Sequence, residues 1–187
     1  MAATGARPPA AGDTALLLVD VINPLDFDGA QQLAPAALAA GERIAALKAA
    51  LVHAGVPVVY ANDNFGHWRS DIRRLLTHCR RGGGAAATLA RDLAPGPRDH
   101  TVLKPRYSAF DQTPLELVLG RIGARRLIIA GFATDLCVQF SAMDAFVRGY
   151  ELWVPGDCSA AESRTRHRAA LAWMARALKC HTRPAWL

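Results

Sequence analysis

The residues best suited to chemistry in this sequence are Asp20, Lys104 and Cys137. Asp20 directly follows the apolar run Leu16–Val19, and Lys104 ends a shorter apolar segment before a proline. A carboxylate can accept a proton, an ammonium can stabilise negative charge, and a thiol can attack a carbonyl carbon. Together the three side chains suit nucleophilic attack by a cysteine on a carbonyl carbon.

Cys137 has the most informative surroundings of the four cysteines. The segment Gly131–Val138 is interpreted as the end of a strand and the first turn of a helix that Thr134 or Asp135 caps. The positive end of a helix, together with Lys104, is expected to stabilise a thiolate, and backbone N–H groups there are expected to hold an oxyanion. The remaining cysteines show neither C-x-x-C pairing nor zinc-ligand spacing and are interpreted as structural thiols: Cys79, Cys158 and Cys180.

Each of the three candidate residues also has an ordinary structural interpretation. Asp20 can serve a turn or cap a helix, Lys104 can be a surface lysine, and Cys137 can be a small core residue. Their shared position favours chemistry, because each follows a predicted strand and the carboxyl ends of parallel strands meet at one edge of a sheet.

The elements that must position these residues alternate along the chain. Strands are predicted at 15–19, 56–61, 101–104, 126–130 and 150–154, and helices at 35–55, around residue 89, and at 113–123, 134–148 and 163–178. Strands this apolar are buried on both faces. The pattern therefore predicts an α/β fold of Rossmann-like type: a three-layer αβα sandwich with a mostly parallel central sheet and helices on both faces.

Length and charge limit the classes of protein that fit. The 187 residues suit a single domain, predicted at 13–187 after a flexible tail at 1–12. Lysine and arginine outnumber acidic residues by 22 to 16, but the excess is scattered and lacks interleaved aromatic residues, which disfavours a nucleic-acid partner. The sequence shows neither a signal peptide nor an apolar run of about 20 residues, so we expect a soluble cytoplasmic protein with reduced thiols and no membrane partner.

Three segments resemble the isochorismatase-like cysteine hydrolases, a family that includes nicotinamidases, N-carbamoylsarcosine amidohydrolases and ureidoacrylate or biuret hydrolases. They are Leu16–Asn23, Val102–Phe110 and Gly131–Val138, and the last is the most specific. The resemblance implies hydrolysis of an amide-like C–N bond in a small molecule through a thioester. It implies that Cys137 is the nucleophile, that Asp20 is the general base, and that Lys104 holds both in place. It also implies an isochorismatase-like fold and a homo-oligomer, either a dimer or a tetramer.

The same resemblance implies a cis peptide bond between Phe132 and Ala133, with the backbone N–H groups of Ala133 and Cys137 as the oxyanion hole. Nicotinamidases also carry a metal site built from an aspartate and two histidines just beyond the second strand. Here Asp63 is followed by a segment that contains one histidine, His67, and the paired histidines are missing. We therefore predict neither a metal nor another cofactor, although His67 stays open as a ligand.

The substrate itself is not determined by these patterns. Aromatic residues on loops near the predicted site suit a small planar molecule, although each can equally belong to the core: Phe27, Trp68, Tyr107 and Phe110. Two other functions stay open. In one, Asp20 acts as the acid of an isochorismatase-type vinyl ether hydrolase; in the other, Cys137 is a non-catalytic, redox-sensing thiol of low pKa.

Overall fold

The apolar segments pair as parallel strands of one sheet in this computed structural model, which describes residues 12–64 and 71–185. The strands are β1 (Thr14–Val19), β2 (Val58–Asp63), β3 (His100–Lys104), β4 (Arg126–Phe132), β5 (Glu151–Trp153) and β6 (Ser159–Ala160). Their order is β3-β2-β1-β4-β5, and β6 also pairs with β4. Strands β2 and β3 therefore lie on one side of β1, and β4 and β5 lie on its other side.

Helices connect the strands and cover the sheet. They are α1 (Ala30–His53), α2 (Ile72–Gly82), α3 (Gly84–Asp92), α4 (Leu115–Ile122), α5 (Gln139–Val147) and α6 (Arg164–Ala177). A π-helical turn, Thr134–Val138, precedes α5, and we call it the Cys137 turn. No helix in 12–64 or 71–185 is long and apolar enough to cross a membrane.

The sheet separates two apolar cores, as the alternation of side chains along a strand requires. Leu16 and Leu18 of β1 face the core beneath α1, α2 and α3, whereas Leu17 and Val19 face the core beneath α4, α5 and α6. The central strands are buried on both faces, which is why they are almost continuously apolar. The predicted αβα sandwich with a parallel sheet is confirmed.

One helix prediction was wrong in its extent, and one helix was not predicted. α1 begins at Ala30, with Gly29 in a left-handed conformation at its N-cap, so Pro35 lies inside the helix rather than at its start. α2 was not predicted, because its buried residues are only Leu75 and Cys79, a stripe too narrow to stand out among basic residues. Its start is nevertheless marked by an N-cap residue, Asp71.

Candidate active site

Asp20 is the first residue beyond β1 and is almost completely buried. Its backbone lies in the left-handed region, with φ of 51°, which aspartate tolerates better than most residues. One carboxylate oxygen accepts a hydrogen bond from the backbone N–H of Asp63 at 2.6 Å. The other pairs with the Lys104 ammonium at 2.7 Å, so both oxygens are used and the carboxylate is fixed in one orientation.

Lys104 ends β3 and is fully buried, which contradicts its interpretation as a surface lysine. Its Nζ lies 2.7 Å from Asp20 and 3.5 Å from the sulfur of Cys137, and it donates to the carbonyl of Arg106 at 3.1 Å. A second carboxylate, that of Asp63, lies 3.7 Å away. A buried ammonium needs such partners, because without them its loss of hydration is not compensated.

The Cys137 turn carries the sulfur to this ion pair. Val138 donates its N–H to the carbonyl of Ala133 at 3.1 Å, a bond that spans five residues and defines the π-helical winding. The peptide bond that joins Phe132 to Ala133 is cis. Cys137 is partly exposed, whereas the three other cysteines are buried, so within the described residues it is the thiol that a small molecule can reach.

Burial and charge set the protonation states of the site. Burial raises the pKa of Asp20 above its usual value, and the Lys104 ammonium opposes that rise. Burial alone would lower the pKa of Lys104, but the adjacent Asp20 and Cys137 raise it overall, so the amine stays protonated. Burial also raises the pKa of the Cys137 thiol, and the Asp20 carboxylate, to which that thiol hydrogen-bonds, adds to the rise.

These shifts bear on one expectation from the sequence. We expected a thiolate stabilised at a helix terminus, whereas burial and the Asp20 carboxylate raise the pKa of the Cys137 thiol, which favours its protonated form. The raised pKa of Asp20 makes its carboxylate a stronger base, and this base hydrogen-bonds directly to the thiol. The geometry therefore suits transfer of the proton during attack rather than before it.

The predicted helix cap was also wrong. The residue before the Cys137 turn is Ala133, and no side chain there caps the turn. The side chains of Thr134 and Asp135 contact α6 instead: Thr134 Oγ1 lies 2.8 Å from Nδ1 of His167, and Asp135 pairs with Arg166 at 2.5 Å. Sequence reasoning missed both partners, because α6 is distant from the turn along the chain.

Ser141, which sequence reasoning also missed, fixes the other side of the turn. The hydroxyl of Ser141 donates to the carbonyl of Cys137 at 2.6 Å and accepts from the backbone N–H of Ala109 at 2.9 Å. This serine is fully buried on α5 and joins the nucleophile to the loop that follows Lys104. Its only sequence signal is a helical spacing of four residues after the cysteine.

The four aromatic residues proposed for the pocket differ in position. Phe110 is buried in the core beneath α4, α5 and α6, with its ring 6.0 Å from that of Tyr150, so its alternative role as a core residue fits the structure. Tyr107 is 53% exposed and Phe27 is 39% exposed. Trp68 lies outside the described residues.

Asp63 is the carboxylate that the sequence associated with a metal site. In the structure its carboxylate lies beside the Lys104 ammonium, and its N–H supports Asp20. His67, the open ligand candidate, lies outside the described residues. Within 12–64 and 71–185 no group of three or more acidic, histidine or cysteine side chains is arranged to hold a metal ion.

Comparison with known proteins agrees with this fold. The sequence model described as "Isochorismatase domain" matches residues 14–183. The chain belongs to the isochorismatase family. It is 35% identical, over 162 residues, to the isochorismatase family protein YaaI of Bacillus subtilis (strain 168), a match that covers 87% of this chain and 88% of that protein. This isochorismatase-family hydrolase is thus similar to that relative along almost its whole length.

A shorter stretch of the sequence is similar to a named amidohydrolase, and the fold is similar to those of named amidases. It is 43% identical to the ureidoacrylate amidohydrolase RutB of Enterobacter sp. (strain 638) over 68 residues, which is 36% of this chain and 30% of that protein. Among solved structures, the nicotinamidase/pyrazinamidase PncA of Bacillus subtilis superposes with a TM-score of 0.72 at 24% identity, covering 92% of this chain and all of that one. The N-carbamoylsarcosine amidase of Thermoplasma acidophilum superposes with a TM-score of 0.70 at 22% identity, and the match covers 92% of this chain and 96% of that one. At these identities the structural matches establish the fold.

Proposed function

We propose that this isochorismatase-family protein hydrolyses a C–N bond of a small, non-peptide amide or ureide through a thioester on Cys137. The observation that carries the proposal is the position of the buried Lys104 ammonium, 2.7 Å from the Asp20 carboxylate and 3.5 Å from the Cys137 sulfur. The likeness to a ureidoacrylate amidohydrolase supports the choice of bond.

The proposed reaction has two steps, and no cofactor enters either of them. The Cys137 sulfur attacks the carbonyl carbon while Asp20 takes the thiol proton, and the tetrahedral intermediate then expels the amine, which receives that proton. Water next attacks the thioester with Asp20 again as base, releasing the carboxylic acid and the free thiol. Lys104 keeps a positive charge beside the sulfur and the carboxylate throughout.

Other parts of the site complete the proposal. The backbone N–H groups of Ala133 and Cys137 are proposed to hold the oxyanion, as donors that are already in place before the reaction. The exposed rings of Phe27 and Tyr107 are proposed to line the entrance for a planar substrate. A cytoplasmic location belongs to the same proposal and is supported by the free cysteines among the described residues.

The decisive experiment combines turnover with mass spectrometry of the protein. We expect Cys137→Ala to lower turnover on the order of 10⁴-fold or more, as is typical when a catalytic nucleophile is removed. The panel of substrates is nicotinamide, biuret, ureidoacrylate and N-carbamoyl amino acids. The matched control is Cys180→Ala, which removes a buried thiol outside the site and should leave turnover close to that of the wild type.

The same experiment separates the two other functions. A vinyl ether hydrolase with Asp20 as acid would retain most activity in the Cys137→Ala variant. A redox-sensing thiol would form no acyl adduct with any amide. An acyl adduct confined to Cys137 in the wild-type protein supports the proposal, and its absence with every substrate contradicts it.

A further inference from the structure

The Cys137 turn is held from outside the active site by the first turn of α6. Thr134 is fully buried, and its hydroxyl lies 2.8 Å from Nδ1 of His167. Asp135, the next residue, pairs with Arg166. Two consecutive residues of the nucleophile's turn thus bind two consecutive residues of one helix. The hydrogen bond and ion pairs that these four side chains form do not involve Asp20 or Lys104.

The hydrogen bond between Thr134 and His167 has a defined direction. The ring of His167 also lies near the backbone of Gly156, a contact that raises the pKa of the imidazole, as a carbonyl acceptor does. The N–H of Gly156 is already donated to the carbonyl of Thr182 at 3.3 Å, so the ring donates to the Gly156 carbonyl. A neutral imidazole has one donor and one acceptor, and therefore Nδ1 accepts the proton of the Thr134 hydroxyl.

We propose that His167 is a positioning residue for the nucleophile, acting through Thr134 as a latch that holds the Cys137 turn while its imidazole is neutral. This inference rests on the proposed function for its catalytic meaning. Thr134 directly follows Ala133, so the latch acts on the backbone that carries both the cysteine and the proposed oxyanion donors. Gly156 anchors the ring from the connection between β5 and β6, so the latch joins the turn to two other parts of the fold.

Protonation must open this latch. An imidazolium has no acceptor at Nδ1, so the Thr134 hydroxyl would have to turn its proton away inside a fully buried space. The charged groups that face His167 are Asp135 of the Cys137 turn and Arg168 of its own helix. Burial lowers the pKa of His167 below its usual value of 6.5, and the positive charge of Arg168 lowers it further. The contacts with Gly156 and Asp135 raise the pKa and so partly offset this decrease. The latch is therefore closed at neutral pH and opens as the pH falls below the usual histidine range.

The test compares two amide replacements of the imidazole. In His167→Asn the amide oxygen takes the place of Nδ1 and can still accept from Thr134, whereas His167→Gln places its amide nearer to Gly156 and loses that acceptor. The readout is the rate at which iodoacetamide alkylates Cys137, followed by peptide mass spectrometry, which requires no knowledge of the substrate. The control is His53→Asn at an exposed site on α1.

We expect His167→Gln to slow alkylation about fivefold, the kinetic equivalent of one neutral hydrogen bond, whereas His167→Asn keeps most of the wild-type rate. Thr134→Val should slow it by a similar factor, and combining Thr134→Val with His167→Gln should add little, because both remove the same bond. Relative to His167→Asn, the wild-type rate should decline as the pH falls below the usual histidine range, where the imidazole takes up its proton.

The inference is overturned if His167→Gln and His167→Asn alkylate alike, or if the effects of Thr134→Val and His167→Gln multiply. Thermal unfolding of each variant shows whether the fold persists, and Thr134→Ala, which also removes the hydroxyl, serves if Thr134→Val unfolds. Failure of the proposed function is visible separately, as the absence of an acyl adduct on wild-type Cys137. If the His167 variants slow alkylation but wild-type Cys137 forms no acyl adduct, the positioning role stands and the proposed hydrolase function is contradicted.

Discussion

At the scale of single residues, the least expected feature is an ammonium with no exposure to solvent. Lys104 has the Asp20 carboxylate, the Arg106 carbonyl and the Cys137 sulfur within hydrogen-bonding distance, and these partners offset the cost of its burial. The same geometry leaves a strong base hydrogen-bonded to a protonated thiol. Stability and chemistry therefore depend on the same pair of charges, and the two effects are separable by substitution.

We expect Lys104→Met to lower the free energy of unfolding by about 3 kcal/mol, because it leaves the Asp20 carboxylate buried without its partner. Adding Asp20→Asn should recover part of this loss, since the second change removes the uncompensated charge. Urea unfolding at neutral pH measures both. Lys179→Met, at an exposed lysine, is the matched control and should change stability by no more than about 0.5 kcal/mol. Equal stability of Lys104→Met and wild type would contradict the role given to this ion pair.

At the scale of elements, the junction of β1 and β4 places the site. Val19 of β1 is the register partner of Gly131 of β4. Val19 immediately precedes Asp20, and Gly131 lies shortly before the Cys137 turn. Gly131 has a φ of 132°, and a Cβ atom there would lie 1.9 Å from the carbonyl oxygen of Val19. The glycine thus permits the two backbones that carry base and nucleophile to approach each other.

Gly131→Ala should therefore destabilise the protein by about 4 kcal/mol, the range of severe backbone and packing changes, and lower turnover as β1 and β4 separate. The comparison is Gly120→Ala in α4, where a Cβ meets nothing within 4 Å. That substitution should stabilise the protein by about 0.5 to 1 kcal/mol through helix propensity. Denaturant unfolding of the two variants measures both effects, and a Gly131→Ala protein with wild-type stability would show that the close approach is unimportant.

At the scale of the whole molecule, one surface next to the site is unusually apolar. Along α5 the exposed side chains of Phe140, Met143 and Val147 follow helical spacing, and the ring of Tyr107 lies 5.5 Å from that of Phe140. We call Phe140, Met143 and Val147 the apolar stripe. A helix whose outer face is apolar as well as its inner face is unusual in a monomer and typical of a surface that another chain covers.

We propose that the protein is a homo-oligomer and that the apolar stripe belongs to the contact between copies. The double variant Met143→Glu with Val147→Glu should then shift the molar mass measured by light scattering after size exclusion towards that of the monomer, because carboxylates are costly to bury there. Arg176→Glu, an exposed change on α6, should leave the molar mass unchanged. A wild-type protein that is monomeric at micromolar concentration would overturn the proposal.

The sequence by itself determined the layers of the fold and the three candidate residues. Continuous apolar strands can be satisfied only by a sheet covered on both faces, so Leu16–Val19 and its counterparts predict the αβα sandwich from local pattern alone. Because parallel strands end at one edge, the same pattern predicts that Asp20, Lys104 and Cys137 lie near one another.

Only the tertiary structure decided how these residues are protonated and supported. The pKa of Cys137 depends on burial and on Asp20, and neither can be read from the residues next to the cysteine along the chain. Likewise, His167 and Thr134 meet across 33 positions of sequence, through a contact that no local spacing encodes. The physical reason is that strand and helix patterns are local properties of the chain, whereas desolvation and hydrogen-bond partners arise only when distant segments pack together.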